Sequence, residues 1–235
     1  LVKEGDNLGQ DMCVEVMFRC FNMIWEHSPE LFPDMTQIPF AFSYEVFPTG
    51  VKRGFMEAVS GLESLNGFDW NAWKLRAKDP VVLKRMIMSA AGSYVGAYIL
   101  GAADRHQDNV QIQDGLTMMH IDFGFLLGST PPIDAPRFAI YPEMEKAFVE
   151  MNAWEMFVDA CENSFLAIRR LAPAVLRTCV MLFSKFGYSE NTIRLFLADK
   201  FSLNTHEKHE KVAGALVRNQ VKHSSADWKT RFKAY

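Results

Sequence analysis

Apolar side chains recur at close to helical spacing over residues 11–26, at Met12, Val16, Phe21 and Ile24 beside Cys13 and Cys20. That is the period of a helix with one buried face. Asp6 and Asn7 stand just before it, where a side-chain oxygen can accept from the unpaired amides of a first turn. Pro29, Pro33 and Pro39 end the pattern, because proline removes a donor and crowds the preceding turn. Residues 40–47 read as extended, stopped by Pro48-Thr49-Gly50, and residues 54–59 read as a second short strand, so a small antiparallel pair is expected. Gly61, Asn66 and Gly67 mark a connecting loop.

From Trp70 the pattern turns helical. A short helix over 70–77 is followed by Asp79-Pro80, a capping residue and a proline suited to the first helical position, and a long helix then runs to Gly101. Val110–Ile112 and Met118–Ile121 flank Asp114-Gly115, which predicts a hairpin. Gly128, Pro131, Pro132, Pro136 and Pro142 exclude regular structure from 125–142. Beyond it, helices are predicted over 143–150, 152–171, 173–186, 189–198 and 205–220, with a last piece over 222–235. The fold class expected is α+β, a strand-containing start followed by a mostly helical body.

Composition narrows the class. Hydrophobic residues make up 49% of the 235 positions and charged residues 23%, enough for a large core, which excludes disordered and collagen-like chains. A net charge of −3 gives no drive toward nucleic acid. The uncharged stretch 86–103 contains a Gly92/Gly96 pair, but its serines, glycines and alanines keep it weakly hydrophobic. It therefore reads as a buried helix that lets a neighbour approach closely, not as a membrane span. Four scattered cysteines form no metal or disulfide spacing and read as free thiols in a reducing compartment. The first residue is Leu1, so the chain is expected to be a piece of a longer one.

The chemistry is concentrated in Asp104-Arg105-His106-Gln107-Asp108-Asn109, the hairpin, and Asp122-Phe123-Gly124. A long helix delivers the chain into a polar turn, and the hairpin returns it to a second acidic residue beside a glycine. A carboxylate and an amide oxygen suit Mg²⁺, a hard ion. A second carboxylate or an imidazole can take the proton of an attacking hydroxyl. Asp-Phe-Gly alone is a weak signal; Asp-Arg-His-x-x-Asn followed by His-Ile-Asp-Phe-Gly is a strong one.

These paired loops resemble those of the phosphatidylinositol 3-/4-kinase family. Lys3–Asp11 is similar to that family's Lys-x-Gly-Asp-Asp-Leu-Arg-Gln-Asp segment, and Tyr44–Val59 to the segment leading to its interlobe hinge. The resemblance implies a two-lobed kinase-like fold. Residues 1–59 would be the end of an incomplete N-lobe plus the hinge, with the glycine-rich loop upstream. Residues 60–235 would be the C-lobe, with catalytic loop 104–109, metal-binding loop 122–124, activation segment 125–142 and a C-terminal amphipathic helix. It implies ATP and Mg²⁺, or Mn²⁺ in its place, as cofactors. Lys3 would hold the ATP phosphates and Asp11 would orient it. Glu57, Ala58 and Val59 would form the hinge for adenine, with Tyr44 and Met56 lining the pocket. Asn109 and Asp122 would ligate the metal. Asp104 and His106 would orient and deprotonate the lipid hydroxyl, with the choice of base between them open, and Arg105 would brace the loop.

Asn7 and Gly9 replace an Asp and an Arg of the family segment, and Ala102-Ala103 replaces the usual approach to Asp104. None removes a metal ligand, so an active enzyme is expected once the upstream part is present. Residues 125–142 hold one base, Arg137, and one acid, Asp134, which points to unphosphorylated phosphatidylinositol, because phosphorylated headgroups need basic clusters. Details such as Ile99-Leu100-Gly101 and Asp122–Gly128 are most similar to class III 3-kinases, which favours the 3-hydroxyl over the 4-hydroxyl. Trp228, Phe232 and Tyr235 share a helix face among Lys222, Lys229, Arg231 and Lys233, a pattern suited to an anionic bilayer surface. The expected setting is cytoplasmic and peripheral at membranes, endosomal or other internal ones among them, with phosphatidylinositol and a regulatory subunit as partners and no nucleic acid. An atypical protein Ser/Thr kinase of related fold is the alternative from another class.

Overall fold

The computed structural model describes residues 1–5, 7–132, 138–203 and 210–226. The expected cap at Asp6, the Asp134 and Arg137 charges, and the helix carrying Trp228, Phe232 and Tyr235 lie outside them. Within them the chain is mixed helix and sheet, with helix predominating.

A first antiparallel sheet has the order β1-β3-β2, from β1 (Val2–Glu4), β2 (Val46–Gly50) and β3 (Arg53–Met56). It is one strand larger than the expected pair. Residues 40–45 take no regular strand, and β2 instead runs through Pro48-Thr49-Gly50, the tripeptide read as a stop. Proline is tolerated there because β2 is an edge strand, with a register shift between Pro48 and Gly50. The helix α1 (Leu8–Glu26) packs beneath: a Cβ on Gly54 of β3 would fall 2.9 Å from the Leu8 side chain. Asn7 precedes α1 but makes no side-chain cap bond to it.

A second sheet, β4-β5-β6, joins the expected hairpin of β5 (Val110–Gln113) and β6 (Thr117–His120) to β4 (Leu62–Ser64). The β4 strand has three residues and pairs Leu62 with Gln113 and Glu63 with Ile112. It falls where glycines alone suggested a loop.

Helices build the rest: α2 (Trp70–Arg76), α3 (Pro80–Leu100), α4 (Pro142–Glu150), α5 (Trp154–Arg170), α6 (Ala172–Phe183), α7 (Glu190–Lys200) and α8 (Glu210–His223). Asp79 caps α3 by accepting from the Val81 amide at 2.9 Å, and Gly101 closes it in the left-handed conformation, φ 62°. Every residue of α3 from Met86 to Leu100 is buried. A Cβ on Gly92 would overlap the Phe40–Ala41 backbone, and one on Gly96 would fall 2.8 Å from the Phe18 ring. The two glycines thus admit close neighbours inside the protein, and no helix among the described residues is long and apolar enough to cross a membrane.

A large core spans α1, α3, α5 and the hairpin. A smaller apolar cluster of Leu8, Tyr44, Val46 and Met119, flanked by Met12, Phe42, Met56, Val59 and Ile121, sits where the first sheet meets β6. Cys13, Cys161 and Cys179 are buried free thiols, and Cys20 is half-buried.

Candidate active site

Two loops leave the end of α3 and the end of β6 and lie side by side. The Ala103 amide donates to Phe125 O at 3.0 Å, Leu127 to Leu100 O at 2.9 Å, and Ile121 to Asn109 O at 3.0 Å. Asp104 and Asp122 lead these loops, and both hold left-handed backbones, φ 59° and 60°. Such angles on non-glycine residues cost on the order of 1–3 kcal/mol and persist where surrounding bonds impose them.

Arg105 is the imposing group. It is 4% exposed. Its guanidinium donates to Ala103 O at 3.1 Å, to Ile121 O at 2.7 Å and to Asp122 O, and it lies 5.2 Å from the Phe123 ring centre. One side chain therefore ties both acidic turns together. Burial presses its pKa down, while Asp122 and Asp104 oppose that shift. The Tyr141 hydroxyl donates to Arg105 O at 2.7 Å and fixes the loop from α4's start. Asn109 Nδ2 donates to Asp104 O at 2.9 Å, so its Oδ1 is the end left for an acceptor role. His106 is part-exposed, with its amide bonded to Asp104 O at 3.0 Å and its Nδ1 3.9 Å from Asp108 Oδ2.

The start of α1 grips the second loop. Asp11 Oδ1 accepts from the Phe123 amide at 3.2 Å, and Gln10 Nε2 donates to Phe123 O at 2.6 Å. Both polar groups of Phe123 are thereby satisfied inside the protein. Burial raises the Asp11 pKa; the Phe123 amide and the charge of Lys3 pull it down, and Asp122 pushes it up. Lys3, Asp11 and Asp122 are thus electrostatic neighbours.

Tyr44 is 2% exposed, and its hydroxyl has no partner among the described residues. Burial, with Glu15, Asp11 and Asp122 nearby, pushes its pKa far up, so it stays neutral. Its amide is held by Glu15 Oε2 at 3.1 Å. Met56 and Val59 pack on the small cluster beside Tyr44, while Glu57 and Ala58 are exposed at its rim. The Glu57 amide already donates to Glu45 O at 2.8 Å, and the Glu57 carboxylate accepts from the Glu45 amide at 3.0 Å. Of that residue's backbone groups, the carbonyl is the one left to meet a ligand.

No group of three His, Cys, Asp or Glu side chains fit for a metal exists among the described residues. The Asp122 carboxylate and the Asn109 amide oxygen would instead be the donors. They sit where Asp11, Asp104 and Asp122 outnumber Arg105 and Lys3, an excess of negative charge that a hard divalent cation retaining its waters would neutralise. The residues fit Mg²⁺.

Gln10, Glu15, Tyr141 and Arg105's three-carbonyl grip are the contributors that sequence reasoning left without a worked-out part. Gln10 was legible as a member of the matched segment, but Tyr141 carried no signal. His120 is 1% exposed and held neutral by burial, with Arg105 adding to the effect.

The family model described as phosphatidylinositol 3- and 4-kinase matches residues 69–193, more than half of the chain, and the chain belongs to that family. Its relatives include the phosphatidylinositol 3-kinase VPS34 of Candida glabrata, 27% identical over 191 residues (75% of this chain, 21% of the relative). The phosphatidylinositol 3-kinase catalytic subunit type 3 of Caenorhabditis elegans is 29% identical over 196 residues, with the same coverages. The phosphatidylinositol 4-kinase alpha 1 of Arabidopsis thaliana is 28% identical over 165 residues (61% of this chain, 8% of the relative). The chain thus spans about a fifth or less of the length of these relatives.

Proposed function

We propose that the chain is the catalytic part of a lipid kinase that transfers the γ-phosphate of ATP to the inositol 3-hydroxyl of phosphatidylinositol. The observation that carries this reading is the pinning of the Asp104 and Asp122 loops to one buried arginine, with Asn109 beside Asp104 and with Asp11 and Gln10 gripping Phe123. Phosphoryl transfer asks a protein mainly for positioning and charge, and this arrangement supplies both.

In this reading the first sheet and its helix belong to a small lobe and the helical body to a large one, with the ATP cleft between them. Adenine lies against Tyr44, Met56 and Val59, meeting the Glu57 carbonyl and the backbone through Ala58 to Val59. Lys3 holds phosphate oxygens, and Asp11 keeps it aimed. Asn109 and Asp122 hold Mg²⁺, or Mn²⁺, which when bound offsets charge on the phosphates. Asp104 and His106 orient the lipid hydroxyl, and one of them accepts its proton as the oxygen attacks.

Three considerations support the lipid and the ring position. The single base in 125–142 suits a headgroup without extra phosphates. Two of the relatives named above are 3-kinases. The basic, aromatic C-terminus suits an anionic membrane surface. A 4-kinase is the second reading, favoured by the 4-kinase relative. The test is transfer from radiolabelled ATP to phosphatidylinositol vesicles by the full-length protein, followed by deacylation and identification of the phosphorylated hydroxyl. Label at the 4-position overturns the 3-position assignment. Label in protein substrates alone overturns the lipid reading, and preference for phosphatidylinositol bisphosphates overturns the argument from charge.

A further inference from the structure

Just before Pro142 the 125–142 segment runs through Phe138 to Tyr141, four residues none of which is more than 4% exposed. Each of them is tied down. The Ser224 hydroxyl, just past α8, donates to Phe138 O and accepts from the Ile140 amide at 3.1 Å, two roles that one hydroxyl can fill at once. The Tyr94 hydroxyl of α3 donates to Ala139 O at 3.1 Å. Tyr141 reaches the other way, its hydroxyl donating to Arg105 O at 2.7 Å.

The carbonyl that Tyr141 holds occupies a sensitive place in the 104–109 loop. The carbonyls of Ala103, Asp104 and His106 accept from the loop itself: from Arg105 Nε at 3.1 Å, from the His106 amide at 3.0 Å with Asn109 Nδ2 at 2.9 Å, and from the Asn109 amide at 2.9 Å. The Arg105 carbonyl lies between them and takes its donor from Tyr141, 36 residues further along. It belongs to the same planar unit as the His106 amide. If that carbonyl swings toward another donor, the amide swings off Asp104 O with it. One of the bonds that keep Asp104 at φ 59° is then gone. Tyr141 is 1% exposed and Arg105 4%, so water does not take the place of the hydroxyl, and an unpaired carbonyl there has reason to turn.

We propose that Tyr141 is a positioning residue: through the Arg105 carbonyl it registers His106, and with it Asp104, against the anchored end of the 125–142 segment. The groups that orient and deprotonate the acceptor hydroxyl thereby keep one geometry with the segment that meets the acceptor's headgroup. This role deepens the lipid-kinase reading and rests on it. The cation side of the site is held independently, since Asn109 Nδ2 bonds Asp104 O and Asp11 bonds the Phe123 amide whatever Tyr141 does. Loss of the hydroxyl therefore slows transfer without weakening the hold on ATP or Mg²⁺.

Tyr141→Phe in the full-length protein tests this, because it removes the hydroxyl and keeps the ring. Hydrogen–deuterium exchange of peptides covering 104–109 should quicken at least about fivefold, the step that one buried acceptor left unpaired brings, while the Phe123 amide stays within about twofold. The kcat on phosphatidylinositol vesicles should fall by a similar factor, with the KM for ATP and the half-saturating Mg²⁺ concentration within about twofold of the parent. Trp25→Phe, at the far end of α1, strips the buried Ser164 carbonyl of a donor at 2.9 Å. It is the control for lost stability alone and should leave kcat within about twofold. Unchanged exchange over 104–109 overturns the proposal, as does a kcat loss matched by Trp25→Phe, or one accompanied by an equal rise in the KM for ATP. Exchange is read without substrate and needs no control variant. A parent that leaves phosphatidylinositol unlabelled overturns the lipid reading, whereas the exchange result still decides what Tyr141 does to the loop.

Discussion

Replacing Gln10 by alanine removes the donor that holds the Phe123 carbonyl at 2.6 Å in the interior. Phe123 is 0% exposed, so water does not take the vacated place, and a buried acceptor left unpaired costs about 1–3 kcal/mol. Asp11 still holds the Phe123 amide, and the next residue, Gly124, accepts backbone angles that others do not. The loop therefore relieves the strain by turning about Gly124 while the fold persists. At 1.4 kcal/mol per factor of ten, the population with Asp122 in its left-handed conformation, the one proposed to hold the cation, falls about fivefold to a hundredfold. The assay is ATP turnover against Mg²⁺ concentration, run beside urea unfolding. The half-saturating Mg²⁺ concentration should rise by that factor, the KM for ATP should move less, and stability should fall by no more than about 3 kcal/mol. A Mg²⁺ response within about twofold of the parent refutes the reasoning whatever happens to stability, since a purely structural glutamine would lower stability alone.

Asp122→Asn removes the carboxylate proposed to hold the cation but keeps a residue type that tolerates φ near 60°. Turnover should drop at least about a hundredfold with an unchanged unfolding midpoint, and residual full activity would remove Asp122 from the site. Burial pushes the Glu15 carboxyl well above its usual 4.5. A raised folded-state pKa contributes stability that is complete below about 4.5 and is lost as pH rises through the folded value. Glu15→Gln keeps an acceptor for the Tyr44 amide without the charge, so it should gain stability over the parent at pH 8 and not at pH 4. Equal differences at the two pH values would refute this. Gly9→Arg, which restores the family residue, should destabilise by about 1–3 kcal/mol, because a Cβ there meets the Phe186 ring at 2.5 Å. Adding Phe186→Ala should recover much of the loss, and strict additivity in that cycle would refute the contact.

What was legible in the sequence follows from how local each cause is. The long helix α3 announced both its ends through Asp79-Pro80 and Gly101, and both hold. The hairpin announced itself through Asp114-Gly115, whose two residues take φ 52° and 65°. The strand β4 did not, because its partner lies about fifty residues away at Ile112 and three residues show no alternation. The extent of β2 was misread because the edge position that makes Pro48 harmless is a property of the sheet, not of the tripeptide. Within the site, the two acidic loops could be read from motif spacing. Tyr141's bond to the Arg105 carbonyl spans 36 residues and leaves no trace in the sequence.

The departures in the first segment make physical sense only with the far end of the chain in view. A glycine near the start of a helix forfeits side-chain contacts and backbone rigidity, so Gly9 in place of an arginine should loosen α1 where it grips the Asp122–Gly124 loop. The structure puts the Phe186 ring into the space that a side chain at Gly9 would occupy. Cys13, one turn further along, donates to Leu182 O at 3.6 Å. Beside them, the Tyr188 hydroxyl lies near both the Gln10 side chain and the Leu126 amide, which offset part of the rise that burial gives its pKa. The α6–α7 connection thus comes up against Gln10, and the same tyrosine neighbours the segment that follows Gly124. The first turn of α1 owes its position to packing from residues 182–188 more than to its own composition. A motif departure that looks like a loss in isolation is, in the folded chain, the opening through which a distant segment braces the site.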